Sequence, residues 1–249
     1  MPRVLLLGGT TEAGLLARRF ASDGVDAVYS YAGRTGSPTV QPLPTRVGGF
    51  GGVTGLAAYL EAEAVAYVVD ATHPFAEGMS RNAIEACALT GTRLCSFVRP
   101  PWVRGPGDDW HPVPDLSAAV AALPDHPARV FLAIGRQNLR VFAAKPRHHY
   151  LLRLVDPFEG PLPLADAEAV IARGPFSETG DRELLQRHRI DLIVAKNSGG
   201  DGARAKLDAA RTLGIPVILI ERPTLPSRRV AESVDEVMEF INHRADLGV

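Results

Sequence analysis

Short apolar runs alternate with helical segments along the whole chain of 249 residues. The candidate strands are residues 4–7, 27–31, 66–70, 93–97, 130–134, 150–154, 192–195 and 217–220. Several are continuously apolar, which is typical of parallel strands covered by helices on both faces. We therefore predict an α/β protein with two Rossmann-like, doubly wound domains, mainly parallel sheets and a cleft between them.

The candidate helices lie at 12–22, 55–63, 75–90, 116–123, 183–189, 204–213 and 234–243. Prolines and glycines crowd the segment RPPWVRGPGDDWHPVPD, which follows the fourth candidate strand. Such a segment is typical of a domain junction. We predict a first domain at 1–127 and a second at 128–249. The last helix, which begins with a Ser233–Glu236 capping box, is expected to cover the second sheet.

Composition excludes several function classes. A formal net charge of -1 lacks the basic excess of nucleic-acid binding, and no apolar run approaches the length of a membrane span. Cys87 and Cys95 have the spacing of neither a disulfide framework nor a zinc site, so we expect buried free thiols and no metal. These features predict a cytoplasmic protein without membrane or nucleic-acid partners, and a monomer is favoured over an oligomer.

A glycine-rich turn, GGTTEAG at 8–14, joins the first strand to the first helix. A helix amino terminus preceded by glycines brings backbone N–H groups and a partial positive charge to a phosphate. The spacing departs from G-x-G-x-x-G, since Thr10 stands at the second glycine and Ala13 at the third. The position favours nucleotide binding over a glycine turn without a ligand.

The end of the second strand, Tyr31-Ala32-Gly33-Arg34-Thr35, bears on which nucleotide is bound. An acidic residue at this place accepts hydrogen bonds from the ribose of NAD, whereas an arginine accommodates the 2′-phosphate of NADP. Arg34 therefore favours NADPH over NADH. The alternative is a solvated surface arginine.

Two more loops follow strands of the first half. Residues 46–52, RVGGFGG, contain four glycines, which fit either close backbone approach to a ligand or a hinge. Residues 70–76, DATHPFA, follow the third candidate strand. In this loop His73 is a candidate ligand-binding or proton-donating residue, or a histidine with only a structural role.

Glycine and cation loops also follow strands of the second half. They are Gly135-Arg136, Arg173-Gly174-Pro175-Phe176 and Lys196-Asn197-Ser198-Gly199-Gly200. The last forms a cluster of donors suited to carboxylate or phosphate, which Lys206 and Arg222 extend. An ordinary connection with surface cations is the alternative.

The ordered set of motifs is similar to that of the precorrin-6A reductases of corrin biosynthesis. It comprises GGTTEA (8–13), GRTG (33–36), RVGGFGG (46–52), DATHPFA (70–76), GR (135–136), GPF (174–176), KNSGG (196–200), GIPV (214–217) and RP (222–223). Each motif alone is common, but the ordered set is specific, and the resemblance runs from about Val4 to Pro223.

The resemblance implies an oxidoreductase of cobalamin biosynthesis that uses NADPH to reduce a double bond of the precorrin-6A macrocycle, giving precorrin-6B. Both a metal-free and a cobalt-containing macrocycle fit these residues. The cofactor-binding residues implied by the resemblance are Gly9, Thr10, Thr11, Glu12, Ala13, Arg34, Thr35, Gly49, Gly52, Thr72 and His73. Those facing the substrate carboxylates are Arg136, Lys196, Asn197, Ser198, Gly199 and Gly200.

The proton that accompanies hydride transfer would come from His73 or from solvent. Two other functions fit the same residues. One is an NADPH-dependent reductase of another anionic small molecule. The other is a non-catalytic nucleotide-sensing module, which the lack of a clear acid–base pair favours.

Overall fold

A computed structural model describes residues 2–33, 39–158 and 160–243. Its strands in chain order are β1 (Arg3–Leu7), β2 (Ala27–Tyr31), β3 (Thr45–Val47), β4 (Val65–Asp70), β5 (Arg93–Phe97), β6 (Trp110–Val113), β7 (Arg129–Ala133), β8 (His149–Leu154), β9 (Ala167–Ile171), β10 (Leu192–Lys196), β11 (Val217–Ile220) and β12 (Arg229–Ala231). Its α-helices are α1 (Thr11–Ser22), α2 (Gly52–Ala62), α3 (Glu77–Thr90), α4 (Leu116–Ala121), α5 (Glu178–Arg187), α6 (Ala205–Leu213) and α7 (Val234–Asn242). Residues Arg136–Ala144 and Asp201–Ala203 form 3₁₀-helices.

These strands build two parallel sheets in two compact units. The first unit contains the described residues up to Pro100 together with those from Thr224 onward, and the second contains Pro101–Pro223. The predicted α/β class with Rossmann-like parallel sheets is confirmed.

The first sheet has the order β12-β5-β4-β1-β2-β3. Successive side chains of β1 point to opposite faces, as in any strand. Val4 and Leu6 join a core with α1 and α7, whereas Leu5 and Leu7 join one with α2 and α3. This two-sided burial explains why β1 is apolar at every position from Val4 to Leu7.

The second sheet has the order β6-β11-β10-β7-β8-β9. One of its faces packs against α5 and α6, where Phe131, Ile193 and Leu219 of the sheet meet Leu185 and Leu207 of the helices. Five strands of each unit are therefore arranged in the same way, β3-β2-β1-β4-β5 in one and β9-β8-β7-β10-β11 in the other.

The sixth strand of each sheet comes from the other half of the chain. β6 follows β5 in sequence but pairs with β11, and β12 follows β11 but pairs with β5. The chain therefore changes unit after Pro100 and again after Pro223. This division differs from the predicted boundary near Ala128, because residues 101–127 complete the second sheet and those from 224 complete the first.

The expected place of the last helix was wrong. Val237 and Ile241 of α7 lie in the core of the first sheet, where β12 has brought the helix. The Ser233 cap itself is present, since Ser233 Oγ accepts a hydrogen bond from Glu236 N at 3.2 Å, while the Glu236 carboxylate reaches back to Glu232 N at 3.0 Å. The local signal was therefore read correctly, but it does not specify the unit on which the helix packs.

Other differences concern edge strands and one helix start. The strands β3, β6 and β12 were not predicted because each is an edge strand of three or four residues, with few apolar side chains in β3 and β12 and a proline in β6. Helix α5 starts at Glu178, five residues before the predicted start, because its first turn is polar and is specified by the Ser177 cap rather than by apolar spacing.

Cys87 and Cys95 are buried free thiols, as predicted. Among the described residues, no helix combines the length and apolar character needed to cross a membrane.

Candidate functional site

The loops that follow β1 and β4 meet at the switch point of the first sheet. β1 pairs with β2 on one side and with β4 on the other. From β1 the chain adds β2 and β3 on one side, and from β4 it adds β5 on the other side, so the direction reverses between β1 and β4. Thr10 Oγ1 donates a hydrogen bond to Ala71 O at 2.8 Å, which joins the two loops directly. Open α/β sheets bind ligands outside the carboxyl ends of the strands at such a point.

The turn after β1 is shaped by Tyr29. A Cβ at Gly8 would lie 2.1 Å from Tyr29 Cζ, so only glycine fits there. The Tyr29 hydroxyl accepts a hydrogen bond from Gly9 N at 2.9 Å, and burial raises the pKa of Tyr29 far above its ordinary value. Gly9 has a φ of 116° and nothing within 4 Å of its Cβ position. Contacts with Tyr29 therefore fix the backbone of this turn, whereas the space at the Cβ position of Gly9 is open.

Two predicted side chains at this turn have partners within the protein. Besides its bond to Ala71, Thr10 Oγ1 caps α1 by accepting from Ala13 N at 3.1 Å. Glu12 in the first turn pairs with Arg99, with Oε2 to Nη1 at 2.7 Å. Arg99 offsets a carboxylate that would otherwise repel an anion at the amino end of α1. The position of Arg99 just after β5 is the signal that could have identified it.

The loop after β3 is held by Arg46. Its guanidinium donates to Ser30 Oγ, Gly48 O and Gly49 O at 2.9, 2.9 and 3.2 Å. Gly49 and Gly52, both predicted cofactor-binding residues, have nothing within 4 Å of their Cβ positions. This loop is thus a second piece of open backbone at the carboxyl edge of the sheet.

The loop after β4 is anchored by the buried carboxylate of Asp70. Asp70 Oδ1 accepts hydrogen bonds from Thr72 N at 3.1 Å and Thr72 Oγ1 at 2.7 Å, and Oδ2 accepts from Ser80 Oγ at 2.6 Å. The Thr72 hydroxyl is thereby directed towards the protein. His73 is exposed, and its Nδ1 accepts from Phe75 N at 3.2 Å, which places the proton of the neutral ring on Nε2.

The second sheet has its own switch point between β7 and β10. The loop at Gly135-Arg136 follows β7 and the loop at residues 197–200 follows β10. Arg136 is exposed, and Lys196 is the partly exposed last residue of β10. Gly199 and Gly200 adopt φ values of 67° and 71°, so the loop turns where a side chain would be strained.

The side chain of Asn197, a predicted substrate-binding residue, has hydrogen-bond partners within the protein. Its Oδ1 accepts from Trp102 N at 2.8 Å and its Nδ2 donates to Trp102 O at 3.2 Å, so the buried amide binds backbone. Arg222 supports the same loop by donating to Asn197 O at 2.9 Å and Ser198 O at 3.1 Å. The side chains of Asn197 and Arg222 therefore shape the loop from within.

Lys206 is also part of the interior. It donates to Ala203 O, and its Nζ lies 4.7 Å from the centroid of the Trp102 ring. Lys206, which was expected to extend the cluster of anion-binding donors, therefore has partners inside the protein.

The phenylalanine of the GPF motif also packs within the second unit. Phe176 stacks on the Arg153 guanidinium at 3.8 Å, and Arg153 forms a buried ion pair with Asp181.

The predicted site residues thus fall into two groups. Gly9, Thr10, Thr11, Glu12, Ala13, Gly49, Gly52, Thr72 and His73 lie at the carboxyl edge of the first sheet, and Arg136, Lys196, Asn197, Ser198, Gly199 and Gly200 lie at that of the second. Arg34 and Thr35 lie outside the described residues. Sequence reasoning missed Tyr29, Arg46 and Asp70, whose side chains shape the loops rather than project from them.

Comparisons with known proteins agree with the motifs. Residues 3–242 match the family model described as precorrin-6x reductase CbiJ/CobK. The precorrin-6A reductase of Rhodobacter capsulatus is 64% identical over 97% of this chain and 96% of its own, and that of a Sinorhizobium species is 50% identical over 97% and 93%. A solved structure titled CobK precorrin-6A reductase superposes with a TM-score of 0.93 at 63% identity, covering 97% of this chain and 96% of that one.

Proposed function

The chain belongs to the precorrin-6x reductase CbiJ/CobK family, and we propose that it reduces precorrin-6A to precorrin-6B with NADPH as the hydride donor. It is an oxidoreductase of cobalamin biosynthesis, and a redox cofactor belongs to its reaction. We further propose that the first unit binds NADPH and the second binds the carboxylates of the macrocycle.

The observation that carries the cofactor assignment is the open turn at the switch point of the first sheet. Gly9 leaves the space of a side chain unfilled there, and the amino end of α1 supplies N–H groups and a partial positive charge. A dinucleotide pyrophosphate fits this backbone, and the glycine loop at 48–52 offers further backbone contact. Arg34 and Thr35 are proposed to hold the 2′-phosphate.

When bound, NADPH supplies the hydride, and the protein supplies binding and orientation. Asp70 holds the loop of Thr72 and His73 through Thr72 N, Thr72 Oγ1 and Ser80 Oγ. His73 is exposed, so we propose that its imidazolium form, in which Nδ1 is protonated and releases the bond from Phe75 N, is the proton donor and becomes neutral as it donates, with solvent as the alternative.

The substrate assignment follows from charge and backbone geometry. A modified tetrapyrrole carries several acetate and propionate groups, which pair with arginine, lysine and backbone N–H donors. We assign this role to Arg136, Lys196 and the backbone at Gly199 and Gly200, because Ser198 N already donates to Lys196 O at 2.7 Å. Asn197 is assigned an indirect role, because its amide holds Trp102.

An anaerobic assay tests the proposal by following NADPH absorbance and the spectrum of precorrin-6A together, with NADH as the alternative donor. We expect coupled loss of NADPH and a shifted macrocycle spectrum. Arg34→Ala should weaken the binding of NADPH much more than that of NADH. Arg18→Ala, which changes an exposed arginine of α1, should affect the binding of neither cofactor. NADPH binding without turnover would contradict the reductase assignment, and equal losses with both cofactors would contradict the role of Arg34.

A further inference from the structure

We infer that Arg46 is a positioning residue that preorganises the glycine loop at 48–52 for the ribose end of the dinucleotide. This inference rests on the proposed function. Arg46 lies in β3, which pairs with β2, and the end of β2 is where a Rossmann domain contacts the cofactor ribose. Neither the motifs nor the comparisons assign a role to this side chain.

Hydrogen bonds from Arg46 join the loop to the neighbouring strand. Nη1 donates to both Ser30 Oγ of β2 and Gly48 O, and Nη2 donates to Gly49 O. Ser30 in turn accepts from Gly8 N through its backbone oxygen at 3.0 Å. Arg46 is thus connected through one residue to the turn at Gly8 and Gly9.

A stacking contact holds the plane of the guanidinium. The Arg46 Cζ lies 3.7 Å from the centroid of the Phe50 ring and 5.3 Å from that of Tyr59, and these two rings pack edge to face at 5.1 Å. A planar guanidinium can stack face to face on a ring while two separate nitrogens donate in its plane, whereas a lysine ammonium has a single nitrogen for all of its contacts. The geometry is therefore specific to arginine and not only to positive charge.

The loop needs such an anchor because of its backbone. Gly48, Gly51 and Gly52 have φ values of 120°, 85° and 84°, in a region that glycine enters without strain. Glycines that can adopt these values can also adopt many others, so ordering them costs more entropy than ordering other residues. Gly48 N donates to Tyr31 O at 2.9 Å, and the contacts of Arg46 fix the carbonyls that follow. A loop ordered before the cofactor arrives binds more tightly than one ordered on binding.

Arg93 provides a matched control. It lies at the start of β5, three strands away from β2 in the same sheet, and its guanidinium is 5.2 Å from the Tyr67 centroid and 5.1 Å from that of Phe240. It also donates to a backbone carbonyl, His243 O, at 2.8 Å. Arg93→Met thus removes a similar set of contacts far from the proposed cofactor loops.

The experiment compares Arg46→Met, Arg46→Lys and Arg93→Met in the full chain. We expect both Arg46 variants to raise the KM and Kd for NADPH and NADH about tenfold, equivalent to ~1.4 kcal/mol, with kcat changed less than twofold. Hydrogen exchange of the protein without cofactor should be faster at residues 48–52 in both. Arg93→Met should change neither the affinity for the cofactors nor the hydrogen exchange at residues 48–52, although it lowers the melting temperature.

The outcomes separate this inference from the proposed function. If the wild-type protein binds no NADPH, the proposed function fails. If it binds NADPH and Arg46→Met binds equally well, or exchange at 48–52 is unchanged, the inference alone is overturned. Full retention of affinity by Arg46→Lys also overturns it, because charge rather than the planar contacts would then be sufficient.

Discussion

Replacement of Gly8 by alanine tests the connection between packing and cofactor binding. The new Cβ would lie 2.1 Å from Tyr29 Cζ, 2.3 Å from its hydroxyl oxygen and 2.4 Å from Cε1. Gly8 follows Leu7, which is 2% exposed, and Tyr29 is 1% exposed, so neither has free space to move into. We expect the ring to be displaced and its hydrogen bond from Gly9 N to break.

The magnitude follows from these two effects. Overpacking a rigid core costs ~1–3 kcal/mol, and the lost hydrogen bond adds ~0.5–1.5 kcal/mol. The free energy of unfolding should therefore fall by about 1.5–4.5 kcal/mol. For a protein of this size that corresponds to a melting temperature lower by roughly 3–18 °C. Because Gly9 loses its support, the Kd for NADPH should rise at least tenfold.

Differential scanning calorimetry and a fluorescence titration with NADPH measure the two quantities. Gly78→Ala is the control, since Gly78 lies in α3 with nothing within 4 Å of its Cβ position. It should raise the melting temperature slightly, as a glycine-to-alanine change in a helix does. If Gly8→Ala melts like the wild type and binds NADPH normally, the reasoning from Tyr29 is refuted.

Three further predictions concern buried groups. Burial raises the pKa of Cys87 to about 12 and of Cys95 to about 11, so a thiol reagent at pH 8 should label them slowly in the folded protein and rapidly in urea. Asp181→Ala should lower the free energy of unfolding by ~3–5 kcal/mol in urea titrations, since it leaves the Arg153 charge buried, and Arg153→Met with Asp181→Leu should lower it less. Burial raises the pKa of Tyr150 to about 12 from an unfolded value of 10.0, so its contribution is complete below pH 10 and is lost towards pH 12; Tyr150→Phe should flatten that part of the stability profile, and an unchanged slope would contradict this.

Local signals predicted most of the central elements. Runs such as residues 4–7 are apolar at each position because the sheet is buried on both faces, and that pattern indicates a parallel strand by itself. The Ser233 cap of α7 was likewise predictable from its own short stretch of sequence. Pairing of β6 with β11 and of β12 with β5 has no local signal, because it depends on which edges are left open once the central strands have formed.

The glycine loops of the candidate site were predictable from the sequence, whereas the side chains that support those loops were not. Glycines after strands mark backbone that is open to a ligand, as the free space at Gly9 illustrates. Asn197 and Thr72 read as ligand-binding residues in the sequence, yet their side chains bind Trp102 and Asp70. A polar side chain in a loop serves a ligand or the loop itself, and only the three-dimensional contacts distinguish the two.

The exchanged edge strands also determine the order in which the units can be completed during translation. The second sheet has all its strands once Ile220 has been synthesised, whereas the first must wait for Ala231, although its other five strands end at Phe97. At ribosomal speed the intervening residues take on the order of 10 s. For that time the edge of β5, with Cys95 and Phe97, has no neighbouring strand from this sheet. The nascent chain therefore carries, in the part that was made first, an unpaired strand edge of the kind that can pair with another chain.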